Sequence, residues 1–286
     1  MIAAAIQMTS GSDKNENYKK VVRFTEEAAS KKAELLVLPE HWNWLGPSAE
    51  KQKTAESLDG PSLKVISDLA KKYRCHFVAG SIGEKNEDKP PYNTAVIVHA
   101  DGSLGKAYRK IHLFDTEVAG GHKESATVSA GNEVVVERIK SPSPLEPVLS
   151  EVEGGEGCLS AGSVAEGEGF NIGLSICYDI RFPELYRKMG KAGATLFAFP
   201  SNFTAITGVA HWEILVRARA IENQCFIVAA DQTGMTGAGW EAHGHSMIVD
   251  PWGEILASLG KGEGVITAEL DFSKLDTVRK QMPSIC

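Results

Sequence analysis

Short apolar runs recur along this chain with room for one helix between successive runs, and that spacing constrains the fold more than any other feature. Residues Met1 to Met8 read as a buried strand. Ser12-Asp13 followed by Glu16 has the pattern of a helix start, because a short polar side chain there can accept from free backbone N–H groups. The helix places Tyr18, Val21, Val22, Thr25 and Ala28 on one face, and the strand Leu35-Leu36-Val37-Leu38 follows at once. Gly60-Pro61 opens a second helix, since proline is pre-set for a first helical position, with Leu63, Ile66, Leu69 and Ala70 inward. The apolar strand around Phe77-Val78-Ala79 completes a β-α-β-α-β series. Tyr92 to His99, the turn Asp101-Gly102 and Leu104 to Lys110 predict a hairpin, so the sheet is mixed.

The second half repeats the style without repeating the sequence. Strands are expected at Asn171 to Ile176, Thr195 to Phe199 and Cys225 to Ala230, with helices from about Pro183 and from about His211 to Asn223. Ser246 to Val249 and Glu254 to Ala257 flank the turn Pro251-Trp252-Gly253, and Gly264 to Leu270 supplies a last strand. Two strand-rich halves with helices outside predict a layered α/β sandwich, because each sheet must bury both faces. Residues 140–169, rich in Pro, Ser, Gly and Glu, carry neither helical nor strand period. They read as an inserted surface loop rather than an interdomain linker, since both flanks look like strands of one sheet system and long surface insertions cost little closure entropy. The 286 residues are then expected to form a single domain with that insertion.

Thirty Lys and Arg against thirty-seven Asp and Glu give a net charge of −7, so the chain lacks the broad positive field that nucleic acid or an anionic membrane would need. No apolar stretch approaches the roughly 18–20 residues of a membrane span, and the start lacks a basic export segment. A small-molecule partner and a cytoplasmic location are expected. Five cysteines, with no CxxC pair and no clustered histidines, suggest neither a disulfide framework nor a zinc site.

Three polar residues stand where apolar strands run out, which is where open α/β sheets place ligands. Glu40 follows Leu35-Leu36-Val37-Leu38-Pro39, and apolar surroundings are expected to raise its pKa so that it can take and return a proton. Taken alone it reads more simply as a solvated strand-end residue. Cys177 ends the run Ile172 to Ile176, and a tight strand-to-helix turn there exposes a nucleophile beside free backbone N–H groups. A helix start and a nearby lysine are expected to lower its thiol pKa. Free cysteines are usually buried, and that is the reading for Cys75 and Cys225, while Cys158 and Cys286 read as incidental thiols. Lys110 in isolation reads as a snorkelling surface residue, and only its combination with Glu40 and Cys177 lifts it above that.

The segments Leu38-Pro39-Glu40, Tyr108-Arg109-Lys110-Ile111-His112-Leu113-Phe114 and Ser175-Ile176-Cys177-Tyr178-Asp179-Ile180-Arg181-Phe182-Pro183-Glu184 together resemble the nitrilase superfamily of carbon–nitrogen hydrolases. The stretch from Pro200 to Asp250, through Thr207 to Glu213, Arg217 to Gln224 and Gly244 to Gly253, is similar to its amidase branch. The resemblance implies a four-layer αββα sandwich and a Glu40-Lys110-Cys177 triad, with Glu124 keeping Lys110 charged and oriented. It implies attack of Cys177 on a small primary amide, an oxyanion held by Lys110 and the Tyr178 N–H, loss of ammonia, and hydrolysis of a thioester by water that Glu40 activates. No metal or organic cofactor is implied. A homodimer or higher homo-oligomer through residues 182–189 and 211–220 is.

Substrate contacts are expected from Tyr178, Arg181, Phe203 and Thr204, although Arg181 reads slightly better as a structural partner of Asp179 or Glu184. Trp42, Trp44 and Trp240 either wall a pocket or pack, whereas Trp212 packs and His211 reads as a hydrogen-bonded structural histidine. A nitrilase, an N-carbamoyl hydrolase and an amidase of α-keto acid amides share the triad. A silent scaffold is the non-enzyme alternative, and folding alone gives no reason for those three residues.

Overall fold

A computed structural model describes residues 1–118, 121–140 and 169–285. The expected insertion lies outside the described residues except for its end residues Lys140 and Gly169, as do Cys158 and Cys286. The strands in chain order are β1 (Ile2–Gln7), β2 (Leu35–Val37), β3 (His76–Val78), β4 (Ile82–Asn86), β5 (Lys89–Val98), β6 (Leu104–Arg109), β7 (Asp115–Thr116), β8 (His122–Lys123) and β9 (Val136–Ile139). They continue with β10 (Phe170–Leu174), β11 (Leu196–Ser201), β12 (Phe226–Asp231), β13 (Thr233–Met235), β14 (Glu241–His243), β15 (Met247–Val249), β16 (Ile255–Ser258) and β17 (Gly264–Glu269). The helices are α1 (Lys14–Ser30), α2 (Lys51–Thr54), α3 (Pro61–Tyr73), α4 (Pro183–Lys191), α5 (Ala205–Asn223) and α6 (Phe272–Gln281).

One seven-stranded sheet runs β17-β1-β2-β3-β5-β4, with β6 also on β5, and a six-stranded sheet runs β16-β15-β12-β11-β10-β9. Parallel trios form the centre of each, β1-β2-β3 in the first and β10-β11-β12 in the second, with antiparallel strands outside. Strand β1 explains the arrangement at residue level. Its alternate residues Ala3 and Ala5 join one core with Leu174, Phe197 and Val228 of the second sheet, while Ala4 and Ile6 join another with Val21 of α1 and Ile66 of α3. Both faces of β1 are dry, so its sequence is an unbroken apolar run rather than an alternating one. Leu185 and Met189 of α4 and Trp212 and Val216 of α5 cover the second sheet. The layers are therefore helix, sheet, sheet, helix, the αββα sandwich expected.

Local signals hold in several places. Asp13 caps α1 by accepting from the Asn15 and Glu16 N–H groups, and Gly60-Pro61 opens α3. The buried face of α1 runs through Asn17, Val21, Phe24, Thr25 and Ala28, so Phe24 replaces the expected Tyr18 and Val22, which are half-buried. Helix α5 begins at Ala205, well before the expected His211, because Thr204 caps it by accepting from the Thr207 N–H. The first turns carry Ile206 and Val209, which are 65% and 84% exposed, so apolar periodicity gives no sign of them. Among the described residues no helix is long and apolar enough to cross a membrane.

The two parallel trios meet at their C-terminal ends. The Glu40 N–H, just past β2, donates to the Ser201 carbonyl at the end of β11, and Gln232 after β12 donates to the Glu40 carbonyl at 2.8 Å. Gly80, at φ +49°, lets the turn after β3 pass so close that a Cβ there would run into the Pro39 carbonyl oxygen. These contacts fix where Glu40 stands.

Candidate active site

Glu40, Lys110 and Glu124 arrive from three separate segments and form one buried charge cluster. The Lys110 Nζ lies 2.9 Å from Glu40 Oε1 and 2.9 Å from Glu124 Oε2, and all three residues are at most 3% exposed. The remaining carboxylate lone pairs are also used. Asn202 N–H donates to Glu40 at 2.9 Å, Phe114 N–H to Glu124 at 2.7 Å, and the Asn93 amide to both carboxylates at 2.8 and 3.3 Å. An ammonium has three donors, so the Lys110 Nζ keeps one for a ligand.

Burial pushes the Glu40 carboxyl up, but the charge of Lys110, helped by His41, outweighs it and holds the group below the ordinary carboxylate range. The expected rise in its pKa is thus corrected, because the apolar strand delivers Glu40 to a lysine. Burial likewise raises Glu124, and Lys110 and Lys51 bring it down to about 2. Burial pulls Lys110 down, and Glu124 and Glu40 together raise it well above its usual value. Ligand atoms of Glu40, His41 and Glu124 lie within 4.8 Å of one another, as a metal would want, but the Lys110 ammonium already supplies the cation between the carboxylates.

Cys177 opens a tight 3₁₀ turn, Cys177–Arg181, with φ +45°, and it is 8% exposed. A left-handed backbone at a non-glycine residue is strained and persists only where its surroundings over-determine it. His41, beside Glu40, sits at φ +58° in the same way. The Asp179 carboxylate supplies much of that determination for Cys177. It accepts from the Ile176 N–H at 2.9 Å, the Tyr108 hydroxyl at 2.7 Å and the His112 N–H at 3.0 Å, and its Oδ1 lies 2.7 Å from His112 Nδ1. The His112 ring in turn stacks on Phe182, with centroids 3.7 Å apart. Asp179 N–H, bonded to the Ile176 carbonyl, is the first of the turn to find a backbone partner. The Cys177 and Tyr178 N–H groups before it are the ones such a turn leaves free.

Burial and the charge of Glu40 push the thiol well above its ordinary pKa, and Lys110, Ser201 and the Asn202 N–H offset this only in part. The expectation of a ready-made thiolate is therefore corrected. Helix α4 begins six residues on, at Pro183, too far to polarise the sulfur. Cys75 and Cys225 are buried, and burial pushes each thiol up to about 12, in keeping with packing roles.

Above Cys177 lies a cleft of about 410 Å³ bordered by Glu40, Lys51, Lys110, His122, Glu124 and Trp240. A second lobe of about 230 Å³ is bordered by Tyr178, Arg181, Phe203, Thr204 and Thr207, and Cys177 borders both. Arg181 does not pair with Asp179 or Glu184 as expected, because Asp179 is occupied as described. Its guanidinium lies over the Tyr178 and Phe203 rings and 3.3 Å from His211 Nδ1, and among the described residues it makes no ion pair. His211 is itself exposed on the surface of α5. Phe203 and Trp240 wall the cleft, Trp44 borders an adjoining cavity, Trp42 is a core residue donating to the Ala79 carbonyl, and Trp212 donates to the His245 carbonyl. Sequence reasoning misses Asn93, Asp179 as a hub, and Lys51.

This fold and this cluster define a class. The sequence profile of the carbon-nitrogen hydrolase family matches residues 2–280, and the chain belongs to that family, within the nitrilase superfamily. It is a hydrolase of carbon–nitrogen bonds. More particularly, it is 38% identical over 288 aligned residues to deaminated glutathione amidase of Synechocystis, covering 99% of this chain and 96% of the relative. Among solved structures it is similar to the NitFhit protein of Caenorhabditis elegans, with a TM-score of 0.83 and 37% identity over 99% of this chain and 63% of that one. It is similar also to Nit3 of Saccharomyces cerevisiae, a member of branch 10 of the nitrilase superfamily, with a TM-score of 0.82 and 30% identity over 99% and 94% of the two chains.

Proposed function

We propose that the protein is an amidase that hydrolyses deaminated glutathione through a thioester on Cys177. The carrying observation is the Lys110 ammonium held 2.9 Å from both Glu40 and Glu124 at the foot of the cleft that Cys177 borders. In deaminated glutathione a keto group replaces the glutamyl amino group, so the amide nitrogen carries a dipeptide. The leaving group is then that dipeptide's amine, in place of the ammonia expected of a primary amide.

As the Cys177 sulfur attacks the amide carbonyl carbon, its proton passes to Glu40. The carbonyl oxygen gains negative charge and is met by the third Lys110 N–H and the Tyr178 N–H, donors worth about 3 kcal/mol each in such sites. Glu40 gives its proton to the nitrogen as the C–N bond breaks, leaving an acyl thioester. Water then gives a proton to Glu40 and its oxygen to the carbonyl carbon, and the proton returns to sulfur as the acid departs. Lys110 stays charged while Glu40 carries the proton because Glu124 still faces it, which is the role proposed for Glu124. Arg181, which borders one lobe with Phe203 and Thr204, is proposed to take the α-keto acid end of the acyl group.

The chain is proposed to act as one domain, in the cytoplasm, and as a homodimer or higher homo-oligomer through α4 and α5. Exposed Ile206, Val209, Ile214 and Ile221 on α5 support that assembly, and light scattering tests it.

The activity test measures free-amine release from deaminated glutathione, and ammonia release from α-ketoglutaramate, a simple nitrile and an N-carbamoyl amino acid. Turnover of deaminated glutathione by the wild type and its loss to background in a folded Cys177→Ala variant are expected. Undiminished turnover in that variant, or cleavage of the nitrile or carbamoyl compound alone, overturns the proposal.

A further inference from the structure

The two lobes that meet at Cys177 cannot receive the same half of a substrate, and the position of Glu40 decides between them. A leaving nitrogen must be protonated as its bond to carbon breaks. Glu40, the group that carries the proton, borders the lobe of Lys110 and Lys51 and not the lobe of Arg181 and Phe203. The amine half of the substrate therefore lies on the Lys51 side and the acyl half on the Arg181 side.

Lys51 opens the short helix α2, and it is half-buried. It borders both the main cleft and the adjoining cavity of His41, Asn43 and Tyr92. Among the described residues its ammonium has neither a hydrogen-bond partner nor an ion pair. The other buried or half-buried lysines among the described residues differ in this: Lys110 is held by two carboxylates, Lys14 by Glu56 and the Thr54 carbonyl, and Lys20 by Glu263 and the Thr9 carbonyl. A half-buried ammonium whose donors meet no acceptor is set to gain a charge-assisted hydrogen bond when a carboxylate binds beside it. The charged groups that face it are Glu124, Glu40 and Lys110, whose charges sum to −1, so Lys51 balances that cluster across the cleft while its own N–H donors meet no acceptor. His41 and His122, which also border the lobe, are held neutral by burial, His41 near 4 and His122 below its ordinary value. His122 stands edge-on to Trp240 at 5.0 Å, an apolar wall for the chain between the amide and the anion.

We infer that Lys51 binds a carboxylate carried on the leaving-amine half of the substrate, so that the enzyme selects N-substituted amides whose amine is itself an acid. This rests on the amidase reading above and extends it from the acyl end to the leaving group.

The experiment compares α-ketoglutaryl-cysteinylglycine with its C-terminal carboxamide, on wild type, Lys51→Met and Lys51→Arg. The wild type prefers the acid by about tenfold or more in kcat/KM, chiefly through KM. Lys51→Met loses that preference, and Lys51→Arg keeps most of it. A preference that survives in Lys51→Met, or that is absent in the wild type, overturns the inference while leaving the amidase reading intact. Failure of the wild type to cleave either compound overturns the amidase reading itself. A second measurement needs no variant: free cysteinylglycine is expected to inhibit hydrolysis of α-ketoglutaryl-cysteinylglycine more strongly than its carboxamide does. Equal inhibition by the two contradicts the inference.

Discussion

Lys110 is the residue on which the site's electrostatics turn. It is 1% exposed, and its charge keeps two buried carboxylates ionised side by side. Lys110→Met preserves the bulk of the side chain but leaves Glu40 and Glu124 as like charges in the protein interior. Removing one partner of such a buried set costs about 3–5 kcal/mol. Urea unfolding of Lys110→Met is therefore expected to show a loss of that size together with loss of turnover, and a stability within about 1 kcal/mol of wild type would contradict the account. The three charged residues were only partly legible in the sequence. Glu40 and Lys110 stand where strands run out, but each alone reads as a surface residue, and which way their proton affinities move depends on a meeting that no local pattern encodes. Asn93, which bridges both carboxylates, looks in sequence like any polar residue of a hairpin strand. Lys51 lies in a stretch without period, and its place beside the cleft follows from the fold and not from any local pattern.

At the scale of elements, the turn Cys177–Arg181 is held to the end of β6 by one carboxylate. Asp179 accepts from Ile176, Tyr108 and His112, so it binds the strand end that carries Cys177 to the segment that carries Lys110. Asp179→Ala leaves three donors without acceptors, and each buried one costs about 1–3 kcal/mol. The variant is expected to lose about 3 kcal/mol or more of stability and to lower kcat more than it raises KM, since the strained φ of Cys177 is no longer enforced. A variant with wild-type kcat would show that the turn holds itself. The strand-to-helix turn was readable because a cysteine closes an apolar run just before Phe182-Pro183. The start of α5 was not, because its first apolar residues face outward. Thr204 was expected only to touch substrate, and it also caps that helix.

At the scale of the molecule, the sandwich follows from strands that are apolar on both faces, and this is why the fold class was legible while small ladders such as β7-β8 were not. The same burial has a consequence for acid stability. His41, His76 and His243 are each pushed by burial from the ordinary 6.5 to about 4. The unfolded chain takes up these protons as pH falls through 6.5, whereas the folded chain waits until about 4, so stability declines as pH drops across that window. Glu124, lowered to about 2, adds a further decline once pH falls below its ordinary 4.5. The urea midpoint is expected to fall steadily between pH 7 and pH 5, and a flat midpoint over that range would contradict the burial of these imidazoles.

The claim that joins all three scales is that the sandwich delivers Cys177 to a carbonyl carbon beside Glu40 and Lys110. The most direct measurement is acid-quenched mass spectrometry of the protein during turnover of deaminated glutathione. An α-ketoglutaryl adduct is predicted on the peptide that holds Cys177, formed and consumed at the rate of turnover and missing from Cys177→Ala. Product formed at full rate with no acyl group on Cys177 would contradict the account.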